Sequence, residues 1–486
     1  MYTLMHISDL HRSRSNPTSN VDLLSSLLTD RQRFSTETPP ICSPDAIIVS
    51  GDLVLGLPLG AAQYPEALRR QYDEAYDFLA RLADSFVDGD RSRIVIVPGN
   101  HDVDWNMARR AMQCVDTSEH DIQELLSMPN SPYRWSWKNL EPFRVADQDV
   151  YENRFRYFWN LHKRFYNTAH LAFPLDPQRT WNFFEFDNGR IMICAFSSCT
   201  NTDCFSFFGE IPSEAVSSSY LQLAAERKEP LLTISVWHHD VQGPPRRSDY
   251  MDVEIVRLMI DRGYRLGMHG HQHRSDALPV YLYNSDRQTM AVVSAGSLCA
   301  GPERLPRGSS CQYNIVEISD NYLSARVHVR EMSTQGVFGP GRLLGLGAGS
   351  HAKVQWTPVP TSPVVNMGRG GGMVNAAAEQ IEDLISTGQY NDAIARIDVT
   401  GGILGEYGRR LLSEALFKAN NWKRLVVHLG NPRNSEELVR LVVAAIALRD
   451  WRKADEALDK AESSGEFPAA TLRDLRSRLV AEKRIK

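Results

Sequence analysis

Short runs of apolar and β-branched residues in this chain end, time after time, in carboxylates, amides and imidazoles. Met1 to Ser8 ends in Asp9-Leu10-His11, Ala46 to Ser50 ends in Gly51-Asp52, and Ile94 to Val97 is stopped by Pro98-Gly99 ahead of Asn100-His101-Asp102. Further on, Leu231 to Trp237 ends in His238-His239, and Tyr264 to Met268 leads through His269-Gly270 into His271-Gln272-His273. A loop that leaves a buried strand and at once presents such groups has the form of a site at the carboxyl edge of an α/β sheet, where metal ligands and proton donors sit. Any one of these loops could equally be a polar turn after a core strand. Their recurrence, as Asp-x-His, Gly-Asp, Gly-Asn-His-Asp, His and Gly-His-x-His, makes coincidence a poor account.

With those motifs in that order, roughly the first two thirds of the chain resembles the calcineurin-like metallophosphoesterase superfamily. The resemblance implies an α/β fold, a four-layer α-β-β-α sandwich of two mixed sheets with helices outside. It places one divalent metal on Asp9, His11 and His273, a second on Asn100, His238 and His271, and Asp52 between them as a bridge. The physical reason for the bridge is charge, since two divalent ions about 3.5–4 Å apart repel strongly unless an anionic ligand lies between them. Mixed oxygen and nitrogen donors suit manganese, iron or zinc better than calcium, and the lack of thiolates argues against a structural zinc site. Two Mn2+ ions are expected, with Fe, Zn or Mg as alternatives. The implied reaction is attack on a phosphoester by metal-activated hydroxide, with His101 as general acid for the departing oxygen. Asp102 is expected either to hold that imidazole charged and oriented or to cap the helix that follows.

The neighbouring residues carry weaker signals. His239 is expected to touch substrate or a backbone carbonyl, His269 to be satisfied within its strand end, and His6 to pack. Arg246 and Arg247, after Gly243-Pro244-Pro245, could clamp a phosphate bidentately or form a solvated basic loop.

The elements that must position these groups are legible from periodicity. Val21 to Leu28 and Glu66 to Ala83 have helical spacing, and strand alternating with helix is the grammar of a layered α/β domain. From about 103 to 181 a long insertion interleaves aromatic and basic residues, as in Arg154-Phe155-Arg156-Tyr157-Phe158-Trp159. Such a stretch can stack bases and neutralise phosphates, but Phe155, Phe158, Trp159, His162 and Phe165 also lie at the spacing of a packed helix. After His273, Met290 to Ser294, Tyr313 to Ile318 and Leu323 to Val329 read as a half-buried antiparallel edge that closes the sheet. The expected domains are therefore a catalytic unit over 1–332, a Gly/Pro-rich linker over 333–374 and a helical unit over 375–486. In the last, Tyr390, Trp422 and Trp451 each follow a polar turn, resembling degenerate tetratricopeptide-type hairpins that would bind a protein partner or another copy.

The whole chain fits that reading. A length of 486 residues exceeds what one core supports, while 42% hydrophobic and 23% charged residues are ordinary for a globular protein. The net charge of −5 does not advertise a nucleic-acid partner, so attraction to a phosphate polymer must be local. No run approaches the roughly 18 apolar residues that span a bilayer, and seven cysteines, an odd number, suit reduced thiols; a cytoplasmic location is expected. Three functions remain in order: a nuclease similar to bacterial repair exonucleases of the SbcD type, a small-molecule phosphodiesterase resembling the class III cyclic-nucleotide enzymes, and a partner-binding module with a residual metal site.

Overall fold

The computed structural model describes residues 1–14, 16–116, 126, 131–166, 171, 173–241, 249–275, 282–283, 288–301, 303–306, 309–341, 350–358, 380–381, 384–385, 387–433, 435–464, 467 and 469–484. Arg246 and Arg247 lie outside them, as does most of the Gly/Pro-rich stretch. The chain divides into two compact units, Met1–Pro360 and Thr361–Lys486.

In the first unit the elements run β1 (Tyr2–Ile7), α1 (Asn20–Arg31), β2 (Ala46–Val49), α2 (Tyr64–Phe86), β3 (Ile94–Ile96) and α3 (Trp105–Arg110). The insertion adds β4 (Met112–Cys114), β5 (Tyr133–Ser136), β6 (Glu141–Val145), α4 (Gln148–Glu152) and α5 (Arg156–Phe165). There follow β7 (Trp181–Phe186), β8 (Ile191–Phe196), α6 (Ser213–Ala225), β9 (Leu232–Val236), α7 (Val253–Asp261), β10 (Tyr264–His269), β11 (Leu282–Tyr283), β12 (Thr289–Ser294), β13 (Gln312–Ile318), β14 (Ser324–Met332), β15 (Phe338–Pro340) and β16 (His351–Gln355).

Two mixed sheets result, one in the order β15-β14-β13-β1-β2-β3 with β16 also on β14, the other β11-β12-β10-β9-β8-β7. Strands β1, β2 and β3 are parallel, as are β8, β9, β10 and β12. Strand β8 shows why the sheets stack. Its Ile191, Ile193 and Ala195 join the core shared with the first sheet and with α1 and α2, whereas Met192, Cys194 and Phe196 join an outer core with Val216 of α6 and Met259 of α7. The sequence alternation of period two thus buries both faces of one strand, and the four layers follow.

Two expectations fail here. The strands after His273 are not one half-buried edge: β12 runs parallel to β10 in the second sheet, and β13, buried along its whole length, pairs with β1 inside the first, although β13 and β14 are antiparallel as expected. Nor does a linker begin at 333. Phe338, Ala352, Val354 and Trp356 are buried against the first sheet, so β15 and β16 extend it, pairing with the two ends of β14 on the flank that β13 leaves free. Three or four apolar residues among many glycines were enough to hold these strands, and composition concealed them.

The insertion forms its own sheet, β4-β6-β5, and a helix that packs. Phe158, Leu161 and Phe165 of α5 are buried in the main core, with Tyr157 stacked on Tyr72 at 6.0 Å between ring centroids. Arg134 is bound to Asp203 and buried Arg154 donates to the carbonyls of Tyr151, Thr200 and Thr202, which removes both from the supply of free phosphate ligands.

The second unit is helical: α8 (Tyr390–Lys418), α9 (Trp422–His428), α10 (Ser435–Ala447), α11 (Trp451–Ser464) and α12 (Ala469–Arg484). Tyr390, Trp422 and Trp451 each open a helix. Among the described residues no helix is long and apolar enough to cross a membrane.

Candidate metal centre

The carboxyl ends of β1, β2, β3, β9 and β10 meet at one edge, and backbone hydrogen bonds hold them there. Past the end of β1 the chain stays alongside the loop after β2, with Asp9 N–H donating to Gly51 O at 3.0 Å and His11 N–H to Asp52 O at 3.0 Å. The two sheets are tied across the edge by His271 N–H, which donates to Asp9 Oδ2 at 3.0 Å. Gly270 makes that approach possible, since a Cβ there would lie 2.6 Å from Asp9 Oδ2. Asp9, His11, Asp52, His271 and His273 all have left-handed backbones, with φ between 44° and 75°. Each such conformation costs on the order of 1–3 kcal/mol for a residue with a side chain and persists where surrounding structure enforces it, typically at functional sites.

The seven side chains expected as ligands converge in two groups. In the first, His11 Nε2 and His273 Nε2 are 3.0 Å apart and His273 Nε2 is 3.2 Å from Asp9 Oδ1. In the second, Asn100 Oδ1 is 3.0 Å from His238 Nε2 and 3.1 Å from His271 Nδ1. Asp52 Oδ2 faces both groups, 3.8 Å from His11 Nε2 and 3.4 Å from His238 Nε2.

Hydrogen bonding on the far side of two of the four rings, His238 and His273, shows what the near side is for. His238 donates its Nδ1–H to Ser50 O at 2.8 Å, and His273 donates its Nδ1–H to Arg304 O at 2.8 Å. The Nε2 lone pairs are thereby aimed inward, which is how proteins orient metal-ligating histidines. On His271 the outward nitrogen, Nε2, lies 3.6 Å from Asp249 Oδ2, leaving Nδ1 for the interior. Two inward lone pairs 3.0 Å apart, on His11 and His273, repel unless a proton or a cation lies between them. Asp9 Oδ1, fully buried, accepts no hydrogen bond. Donor atoms on one ion with bonds of about 2.1 Å are themselves about 3.0–3.4 Å apart, which is the spacing in the second group and around His273 in the first, where His11 Nε2 stands wider, 3.8 Å from Asp9 Oδ1. The residues fit a pair of divalent cations.

Electrostatics agree. Asp9, Asp52 and Asp102 are all buried within one small volume. Although burial pulls His238 down, the Asp52 carboxylate raises its imidazole to about 9, so in protein atoms alone the site draws a proton to a position facing the second group. Asp52 itself is held well below the usual carboxylate range by His238 and His101, against the cost of burial.

His101 stands beside this centre. Its ring lies edge-on to His11 with centroids 4.8 Å apart, its Nδ1–H donates to Leu55 O at 2.7 Å, and its backbone N–H donates to Asp52 Oδ1 at 2.8 Å. The carbonyl of Leu55 therefore fixes the tautomer, and Asp102 does not. The Asp102 carboxylate is taken up by the N–H groups of Gly99 at 2.8 Å, Leu53 at 3.0 Å and Val54 at 3.3 Å, stitching the β3 loop to the β2 loop. Burial, with the charge of Asp52 adding, pushes that carboxyl up to about 7. The cap of α3 is Asp104, which accepts from Met107 N–H. Both expectations for Asp102 are thus replaced by a third role, because backbone N–H groups of a sequence-distant loop claimed it first.

His239 packs behind the donor groups, its ring 4.8 Å from that of His271. It is fully buried, its Nδ1 is 2.9 Å from Ser198 Oγ, and Gly209 closes over its Cβ. The placement of His269 and His6 is as expected, on Gly270 O and Ser50 Oγ. Sequence reasoning missed Ser198, whose Oγ accepts the N–H groups of His238 and His239, and missed Asp249. It also missed the carbonyls of Ser50, Leu55 and Arg304, which no side-chain pattern can reveal.

Residues 2–275 match the model of the calcineurin-like phosphoesterase family, more than half of the chain. The chain belongs to that family. It is a metal-dependent phosphoesterase, and the family implies a dinuclear centre of divalent ions at the edge just described. The phosphoesterase is similar in structure to a dimetal phosphatase from Danio rerio, at 10% identity over 73% of this chain and 99% of that one, with a TM-score of 0.37. It is also similar to a 5'-nucleotidase from Candida albicans, at 14% identity over 69% and 52% with a TM-score of 0.33, and to the calcineurin-like phosphoesterase YfkN from Bacillus subtilis, at 11% over 73% and 90% with a TM-score of 0.28. No curated protein matches the phosphoesterase in sequence.

Proposed function

We propose that this phosphoesterase hydrolyses phosphodiester bonds of nucleic acid with two divalent ions, manganese preferred, and a proton delivered by His101. The observation that carries the proposal is the position of Asp52, one of whose carboxylate oxygens faces both donor groups, at 3.8 Å from His11 Nε2 and 3.4 Å from His238 Nε2. In this reading Asp9, His11, His273 and Asp52 hold one ion, and Asn100, His238, His271 and Asp52 the other. The ions supply Lewis-acid polarisation of the phosphoryl oxygens and lower the proton affinity of water. The protein's own residues do the rest. Leu55 O holds His101 Nδ1–H, which leaves Nε2 as the nitrogen that must first take up a second proton and then, from the imidazolium, pass it to the departing oxygen; burial pulls the imidazole down, against that uptake, and the Asp52 carboxylate favours it. Asp52 Oδ1 anchors the His101 backbone, so the acid and the bridge move together.

A polymer is favoured over a small ester by exposed rings, Trp137 at 81% and Phe208 at 52%, which suit bases stacking along an open strand. The acidic net charge is the one feature that favours a small ester. The helical unit is read as a recruiting surface for a protein partner or a second copy, supported by Val399 and Val427, each 82% exposed.

The test is a panel with Mn2+: single- and double-stranded DNA, RNA, cyclic mononucleotides and bis(p-nitrophenyl) phosphate, with Asp52→Asn alongside. Polynucleotide cleavage that falls at least about a hundredfold in the variant is the expected result. Hydrolysis of cyclic nucleotides alone would move the substrate to the small esters, and full turnover by Asp52→Asn would end the enzymatic reading.

A further inference from the structure

A row of aromatic rings leads outward from His101. Trp105 lies 6.4 Å from the His101 ring with 31° between the planes, and Phe207 lies 5.5 Å from Trp105 with its ring tilted 58° to the indole. Phe207 is 41% exposed and its neighbour Phe208 is 52% exposed.

Neither end of this row is loose. Trp105 opens α3 directly after its cap Asp104, and the backbone N–H of Asp104 donates to Arg154 O at 2.8 Å. The loop that carries Phe207 is organised by the buried Asp203 carboxylate, which accepts from Phe205 N–H and Ser206 N–H on one oxygen and from Arg134 Nε and the Tyr151 hydroxyl on the other. Phe205 is stacked on Phe143 at 4.8 Å, and Thr202 Oγ1 holds Phe208 O. A loop pinned through these five hydrogen bonds yet ending in two adjacent exposed phenylalanines is pre-organised for a ligand, because such a surface gives up little entropy on binding.

We infer that the exposed Phe207 ring, held against Trp105, is a platform on which a planar heterocycle of the leaving group, a nucleobase, stacks while His101 protonates the departing oxygen. The side of the reaction follows from the ring contacts: the rings are continuous with the acid, and the acid serves the leaving group. The inference rests on the assignment of His101 made above. Stacking tolerates any base, since each presents a π face, so the platform selects for a nucleoside over an aliphatic alcohol without reading sequence.

The experiment uses the full chain loaded with Mn2+ and compares kcat/KM for a dinucleoside monophosphate with that for a diglycerol phosphodiester, which has no ring. Phe207→Ala and Trp105→Ala are each expected to lower the ratio of the two by roughly 10- to 100-fold, and Phe207→Trp to restore it. Phe207 is exposed enough that its truncation leaves the core packed. An unchanged ratio in both alanine variants overturns the platform. Should neither diester be hydrolysed, binding of adenosine monophosphate by equilibrium dialysis decides separately: about tenfold weaker binding by Phe207→Ala keeps the platform while the hydrolytic reading falls, and equal binding, or none by the unaltered protein, removes the platform itself.

Discussion

Substituting Gly99 by alanine isolates the geometry of the bridge from every other property of the site. Gly99 has φ −113° and ψ 177°, an extended conformation open to any residue, so the substitution brings no backbone strain. Space is the whole effect. The new Cβ would lie 2.9 Å from Asp52 Cγ and closer still to Asp52 Oδ1 and the Asp52 backbone nitrogen. Ordinary contact begins near 3.4 Å, so the β2 and β3 loops must separate by about 1 Å. Because Asp52 Oδ1 accepts the His101 N–H and Asp52 Oδ2 faces both donor groups, bridge and acid are displaced together. A misplacement of about 1 Å costs on the order of a hundredfold in rate, and overpacking a buried contact costs about 1–3 kcal/mol. Turnover of bis(p-nitrophenyl) phosphate, metal content by mass spectrometry and the thermal midpoint should be measured on Gly99→Ala. Gly339→Ala, where an added Cβ meets nothing within 4 Å, is the control. Two bound ions and undiminished turnover in Gly99→Ala would refute the claim that these loops set the position of Asp52.

Other outcomes follow from the same contacts. His101→Ala should slow diesters with poor leaving groups by about 10²–10⁴-fold and nitrophenyl esters far less, since nitrophenolate departs without a proton; equal losses would remove His101 from the acid role. Asp102→Ala strands the N–H groups of Gly99, Leu53 and Val54 in the interior, at about 1–3 kcal/mol each, and should lower the thermal midpoint by several degrees even without metal, whereas a change in rate alone would contradict its structural role. Burial lowers the His162 imidazole from its ordinary 6.5 to about 4, so the unfolded chain takes up a proton that the folded chain refuses. Stability from this group is intact above pH 6.5 and is lost as pH falls toward 4, by roughly 3 kcal/mol; denaturant titrations at pH 7 and 4.5 should show that difference shrink in His162→Gln.

The strand ends that carry the candidate donors were legible without coordinates, because short apolar runs closing on Asp, Asn and His are a local signal, and the resemblance of those motifs to the family picked out seven of them as ligands. The packing face of α5 was legible from an equally local signal, since Phe158, His162 and Phe165 recur at helical spacing and are buried. What depended on tertiary structure is the part supplied by sequence-distant backbone. The carbonyls of Ser50, Leu55 and Arg304 choose which nitrogen of His238, His101 and His273 faces inward, and the N–H groups of Leu53 and Val54 claim Asp102. Every residue carries the same carbonyl and, proline aside, the same N–H, so no residue type announces such a partner. The burial of His239 and the pairing of β15 and β16 with β14 likewise arise from surfaces that exist only once the sheets have formed. Composition named the groups able to do chemistry, while the folded backbone decided which of their atoms are free to do it.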